Sequence, residues 1–500
     1  MEFKAVIIFL CFYFLRPQDW IGPLAGMNIV KPLMLIAIFA TINRKDGFRV
    51  GEVIKTPVDW IMAIFFAYVI FTSEAPITMF KTILNLIAFF VVTTLALSNQ
   101  QRLLTYLRWW ALCIVLVATA GNLQMMGMDI THGAPLTELF KGRLALGTWM
   151  HNNPNALGHT VIAAIPLIYF TLMWRRPGPK KIMGAMVIAW CSWCVYATES
   201  KGSYLSGFIT AVTSQIFGRP KVVQLMVLVL ALTFGTAAMT QLPRMATLSQ
   251  KEAGIQGRLI VWSIGYNNMR QNHFGVGWGK FKAEFRWEKE WVKKAPHSSY
   301  VMIGASLGYP GLWLYIACFY IMLKVVCASR ARDFEEERIR RIIFVLVTSF
   351  MLSNWMIDRA YHTEFFLTAA VASAYYRLLY FRRSESAEED AVEEIPADEL
   401  ELDFDPRLAG ATGALGGGNS SMRTSWGLNV RNKMGPSNTM EVVIPPGGRL
   451  DDLPEAEAKK YRGINWTRLS VIDYVGITVL WLGVVKLWAY IVKHFCMFPQ

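Results

Sequence analysis

Charge is scarce in this sequence. Only 17% of the 500 residues are Asp, Glu, Lys or Arg, while 54% are hydrophobic. Soluble domains sit at roughly 45–50% apolar, and here the excess is gathered into runs, which excludes an ordinary soluble globular chain. Cysteine is scarce too. Cys11, Cys113, Cys191, Cys194, Cys318, Cys327 and Cys496 all lie in or beside apolar runs, so no disulfide framework is implied. Cys191 and Cys194 form a C-x-x-C with no second pair, and small buried hydrophobes are the plainer reading. His151 and His159 are too far apart for an i,i+4 zinc pair, and no local spacing supports a metal site from His362, Asp358 and Glu364. No internal repeat is evident.

The net charge of +14 hides an asymmetry. Glu385 to Asp405 contains eleven carboxylates and no Lys or Arg, so the remainder is more basic than the total suggests. Those basic residues cluster at the ends of apolar runs. That is the topology signal of a membrane protein, not the footprint of a nucleic-acid binder.

The runs fall at about 5–15, 28–42, 58–72, 80–97, 109–127, 155–173, 182–198, 202–217, 222–242, 300–323, 342–356, 361–380 and 471–492. The first is stopped by Arg16-Pro17 and lacks a small-residue cleavage site, so it reads as a retained helix. The pattern predicts an all-α polytopic membrane protein. It would have about twelve core transmembrane helices (1–242 and 299–383), one large external loop (243–298) and one extra C-terminal transmembrane helix (466–500). An N-terminus placed inside puts Arg44, Arg102, Arg175, Lys221, Lys324 and Arg338 inside and the 243–298 loop outside, as the positive-inside rule asks. The N-terminus is then cytoplasmic and the long loop external, which is periplasmic in a Gram-negative cell with the protein in its inner membrane. Residues 384–465, acidic and then rich in Gly and Ser, predict a disordered cytoplasmic tail.

The polar investment sits in the loop. His297 follows Pro296 and precedes a helix that Ser298 or Ser299 could cap. A neutral imidazole there could take a proton from a hydroxyl; an interfacial His that caps a backbone group is the plainer alternative. Arg258 has no acidic residue within four positions and is suited to forking onto phosphate oxygens or snorkelling to headgroups. Arg143 and Lys201 carry the same two readings, and a structural ion pair with Glu199 is the plainer alternative for Lys201. On a helical wheel over 280–294, Lys282, Arg286, Lys289 and Lys293 share a stripe about 60° wide beside Phe281, Phe285 and Val292. This predicts an amphipathic helix on the external face, either held by headgroups or serving as a rail for a diphosphate. Gly275-Val276-Gly277-Trp278-Gly279 lacks the strand and spacing of a dinucleotide fingerprint and predicts a tight turn, whose gathered backbone N–H groups could hold an anion; a plain turn is the simpler reading. Asn153 and Pro154 predict a helix start.

The order of these motifs resembles the O-antigen ligase and polymerase superfamily over roughly residues 1–380. The shared features are Gly257-Arg258 with Trp262, the glycine turn with Trp278, and His297 at the foot of the next helix. Arg143 followed by Asn153-Pro154-Asn155 is similar too. Glu199-Ser200-Lys201-Gly202 departs from the family's Ser-Arg-Gly: Lys201 keeps the charge and loses the planar fork. Arg16-Pro17-Gln18-Asp19-Trp20 resembles the branch found beside exosortase systems.

The resemblance implies a membrane glycosyltransferase. It would move a glycan from a polyprenyl-diphosphate donor to a glycan, lipid or protein acceptor, with no metal or cofactor. His297 and Arg258 would be catalytic. Arg143, Lys201, Lys282 and Arg286 would hold the diphosphate, and Asn155, Trp262 and Trp278 would contact substrate. A polymerase or a protein O-glycosylating enzyme of the same fold differs only in acceptor. A transporter or non-catalytic assembly subunit is the alternative from another class, and transporters favour charge at the membrane midplane.

Overall fold

Every apolar run of the sequence lies on a helix in the computed structural model, which describes residues 2–27, 29–44, 50–133, 142–245, 252–287, 290–393 and 469–496. The helices are α1 (Glu2–Leu15), α2 (Val30–Ile42), α3 (Pro57–Phe71), α4 (Pro76–Ala96), α5 (Gln100–Met125) and α6 (Pro154–Ile168). Next come α7 (Gly178–Ala197), α8 (Lys201–Ile216), α9 (Lys221–Thr240) and α10 (Ala253–Gln271). A hairpin follows, β1 (Ala283–Trp287) and β2 (Glu290–Lys294). The chain continues through α11 (Ser299–Ala328), α12 (Phe334–Ser353), α13 (Thr363–Glu393) and α14 (Val471–Phe495).

Six of these helices are long and apolar enough to cross a membrane: α4, α5, α6 extended to Met173, α9, α11 and α14. The sequence predicted about twelve core spans. The difference is one of length and charge. Helices α1, α2, α3 and α8 hold 13 to 16 residues. At ~1.5 Å per residue they fall short of a ~30 Å hydrocarbon layer. Helix α12 opens on Glu335, Glu336 and Glu337.

Helix α11 is the hub. It packs against α3, α10, α12, α13 and α14, and Ile303, Leu307, Tyr315 and Ile321 along it are fully buried. Helix α9 is the opposite case, largely apolar with none of its residues buried.

The break in α11 is made by Gly308, at φ 68° and ψ −164°, a backbone region open essentially to glycine alone. A Cβ there would lie 2.0 Å from the His273 carbonyl oxygen. The 272–279 turn enters this break: Tyr309 N donates to His273 O at 2.9 Å, and Val276 N and Gly277 N both donate to Ser306 O at 2.8 Å. The glycine turn is therefore a seat for the broken helix. Its Val276 and Gly277 amides are engaged by a carbonyl and not held open for an anion.

Residues 280–294 correct the sequence expectation. Residues 283–287 and 290–294 pair as antiparallel strands, with Phe285 opposite Val292 and Glu284 opposite Lys293, in place of an amphipathic helix. From Phe281 into β1 the burial alternates: Phe281, Ala283 and Phe285 are buried, while Lys282, Glu284 and Arg286 are exposed. Period two has won over period 3.6, and Lys282, Arg286 and Lys293 do not form the helical stripe expected of them. Lys293 instead pairs with Glu284 at 3.1 Å. Lys289 lies outside the described residues, as do 394–468. The described helix α13 runs on into the acidic stretch as far as Glu393.

Candidate functional site

The site is built where four element ends meet: the start of α6, the α7–α8 turn, the first turns of α10, and the segment joining β2 to α11. Asn153 caps α6 by accepting the Asn155 amide at 2.9 Å, with Pro154 in the first position. That leaves Asn155 in the first turn, where its Oδ1 accepts from Arg143 Nη2 at 3.1 Å and Ser200 Oγ at 2.8 Å. Arg143 Nε donates to the Thr198 carbonyl at 3.0 Å. Ser200 caps α8, which fixes Lys201 as its first residue.

The expected partner of Lys201 is corrected here. Its ammonium pairs with Glu252 at 2.6 Å and not with Glu199, and Arg244 approaches the other oxygen of Glu252 at 3.7 Å. Glu199, Arg244 and His297 all hold left-handed backbones, at φ 47°, 63° and 48°. Non-glycine residues persist there only where surrounding contacts hold them, and such strain gathers at functional sites.

Arg258 stands on α10 beyond Glu252. It is partly buried, and its guanidinium hydrogen-bonds no acceptor among the described residues. Lys294, at the end of β2, is also partly buried and has no ion-pair partner among them. Gly257 makes room for it, because a Cβ there would lie 2.4 Å from the Lys294 ammonium.

His297 completes the group. Burial, and then the nearby charges of Arg258 and Lys294, bring its pKa down to about 4. The imidazole is therefore neutral near pH 7 and has a lone pair to offer. Burial also lowers the pKa of Lys294, with Arg258 adding to it. Arg258 is lowered by burial against the opposing pull of Glu252. Arg143 falls to about 10 through burial, with Arg244 beside it and Arg258 also in range. Five cations, Arg143, Lys201, Arg244, Arg258 and Lys294, thus share a small region with two carboxylates, Glu199 and Glu252. Such an excess attracts a polyanion.

The foot of α11 is pinned from below. Ser298 occupies the cap position but its side chain makes no cap bond, contrary to the sequence expectation. Its Oγ donates to Asn354 O at 3.1 Å. Ser299 N donates to the same carbonyl at 2.7 Å, and Ser299 Oγ accepts the Arg359 amide at 2.9 Å. Trp262 is buried and supports this segment. Its indole donates to Pro296 O at 2.8 Å and its ring lies 5.7 Å from that of Trp355. Trp278 sits with the glycine turn, its ring 4.0 Å from Tyr361 and 6.0 Å from Phe65. Lys282, just before β1, and Arg286 on β1 are exposed. Around His362, Arg359 and Glu364 pair with each other, and the His362 ring stacks at 6.2 Å on Trp149. Among the described residues, no three His, Cys, Asp or Glu side chains gather as a metal site.

The structure thus brings together Arg143, Asn155, Lys201, Arg258, Trp262 and His297, which the sequence singled out. Sequence reasoning missed Arg244, Glu252 and Lys294. Gly257 beside Arg258 was a signal for Lys294, since an invading side chain needs a neighbour without a Cβ.

No curated protein matches the chain. Residues 185–316 match the family model described as O-antigen ligase, a family of glycan-transferring membrane enzymes. The matched stretch runs from α7 into α11 and contains Lys201, Arg258, Trp262 and His297. With its apolar helices the chain is a multi-pass membrane protein, and across residues 185–316 it carries the domain of the O-antigen ligase superfamily.

Proposed function

We propose that the chain transfers a preassembled glycan from a polyprenyl-diphosphate donor to an acceptor hydroxyl. Transfer would occur at the external face of a bacterial inner membrane, with the N-terminus cytoplasmic. One observation carries the reading: Arg258 and Lys294, partly buried and with no carboxylate in ion-pair contact among the described residues, flank a neutral His297. A diphosphate is the kind of dianionic group that such a pair attracts.

In this reading the acceptor oxygen attacks the anomeric carbon as His297 takes its proton. The bond from that carbon to the phosphate oxygen breaks, and its electron pair leaves with the carrier diphosphate. Arg258 and Lys294, backed by Arg143 and Lys201, stabilise the charge that grows on the leaving group. The diphosphate is already an activated leaving group, so the step requires no metal or nucleotide. One direct displacement inverts the anomeric centre. Lys201 reaches the donor through exchange of its Glu252 partner. Asn155 holds Arg143 in place.

Protein reconstituted in vesicles with a polyprenyl-diphosphate glycan and a panel of glycan, lipid and peptide hydroxyl acceptors tests this. Acceptor-dependent release of polyprenyl diphosphate is expected, and the acceptor that supports it separates ligase, polymerase and protein-glycosylating versions. Donor crossing the bilayer intact, with no release on any acceptor, would instead mark a transporter.

A further inference from the structure

Helix α14 lies outside the matched family region, yet it packs against both α10 and α11, which carry Arg258 and follow His297. A helix that only holds a chain in lipid needs an apolar surface and little else. Much of α14 is that: Val475, Val479 and Tyr490 are exposed. Its inner face differs. Asp473 is buried, pairs with Lys324 and accepts from Tyr320 Oη at 3.0 Å. Trp313 donates its indole N–H to Thr478 Oγ1 at 3.2 Å, and Gln256 Nε2 donates to the Phe495 carbonyl at 2.9 Å. Polar bonds at both ends fix the helix along its axis.

Between them, Trp488 is fully buried in a slot whose walls are glycines on two other helices. A Cβ at Gly304 of α11 would lie 2.8 Å from its ring, and one at Gly265 of α10 3.3 Å. The ring meets Tyr266 edge-on at 5.6 Å. Its indole N–H donates to the Trp262 carbonyl at 3.0 Å. The Trp262 indole in turn donates to Pro296 O, next to His297. Two tryptophans therefore relay the position of α14 to the imidazole.

We infer that α14 is a working part of the transfer site, and that Trp488 is a positioning residue holding Trp262 and, through it, the Pro296-His297 segment. The inference rests on the function proposed above for its kinetic arm only. Membrane anchoring explains neither a buried Asp473 nor a Trp whose N–H meets the backbone of α10.

The test uses the full chain in vesicles. Trp488→Phe keeps a ring in the slot and removes the donor; Trp488→Ala empties it; Tyr490→Ala on the exposed face is the control. Hydrogen exchange over residues 292–300 and the kcat and KM for a polyprenyl-diphosphate glycan are measured for each. Both Trp488 variants should exchange faster at 292–300, with kcat lower by about ten- to a hundredfold and KM moving less, because the base is displaced while the donor cations remain. Tyr490→Ala should match wild type. Unchanged exchange, unchanged kcat, or exchange raised equally along all of α11 would overturn the inference. Should Trp488→Ala fail to insert, Trp488→Phe decides by the same readouts. Faster exchange at 292–300 in a protein that transfers no glycan even as wild type would keep the positioning role and remove the transferase reading.

Discussion

Trp262 donates its indole N–H to the Pro296 carbonyl at 2.8 Å, which ties the helix bearing Arg258 to the residue before His297. The proposed anion-holding group and the proposed base are thereby set by one side chain. A rigid link of this kind keeps the two at a fixed separation through a reaction, where a misplacement of ~1 Å can cost a hundredfold.

Arg258→Ala should weaken binding of the polyprenyl-diphosphate donor and lower turnover together. Arg258→Lys should restore only part, because one ammonium cannot reproduce the two-pronged geometry of a guanidinium. Donor titration of the purified variants checks this. Wild-type affinity in Arg258→Ala would place the diphosphate elsewhere.

The pH dependence follows from the sign of the His297 shift. Burial and two nearby cations disfavour the protonated ring, so its pKa lies at about 4, below the usual histidine value. The neutral, reactive form is then present across neutral pH, and kcat/KM should fall only as pH drops through about 4. Lys294→Gln removes one like charge and should move this acid limb upward. An acid limb at the same pH in both proteins would break the link between Lys294 and His297.

Gly308→Ala should loosen the seat of the glycine turn. The added Cβ would meet the His273 carbonyl at 2.0 Å, on a backbone that L-residues avoid. A loss of ~2–4 kcal/mol is expected, read as a lower melting temperature of the detergent-solubilised protein. An unchanged melting temperature would mean that the turn and helix are not locked together.

Orientation is testable with thiols. Ala295 and Cys327 are both exposed and lie at opposite ends of the segment through α11. A membrane-impermeant maleimide added outside intact cells should label Ala295→Cys and spare Cys327. The reverse pattern would invert the topology.

Much of this was legible from local chemistry. Asn153-Pro154 reads as a helix start because a side-chain acceptor and a fixed φ serve the first turn directly, and the structure has that cap. The apolar runs read as helices for the same local reason. The hairpin was not legible. Lys282, Arg286, Lys289 and Lys293 fit a helical stripe, while Phe281, Ala283 and Phe285 fit a strand, and packing of β1 against α10 decided between them. Nor was the partner of Lys201. Glu199 is two positions away in sequence, whereas Glu252 is brought to it across 51 positions by the fold. Lys294 was missed because its meaning lies in the absence of a Cβ at Gly257 on another element.

The proposed role of His297 is the claim on which the rest depends. Single-turnover transfer should be compared in wild type and His297→Ala, both inserted in vesicles and saturated with polyprenyl-diphosphate glycan and acceptor. The expected result is a rate lower by ~10²–10⁴ in His297→Ala with donor affinity nearly unchanged, since the imidazole handles a proton and the cations hold the diphosphate. Transfer by His297→Ala at the wild-type rate would contradict the account.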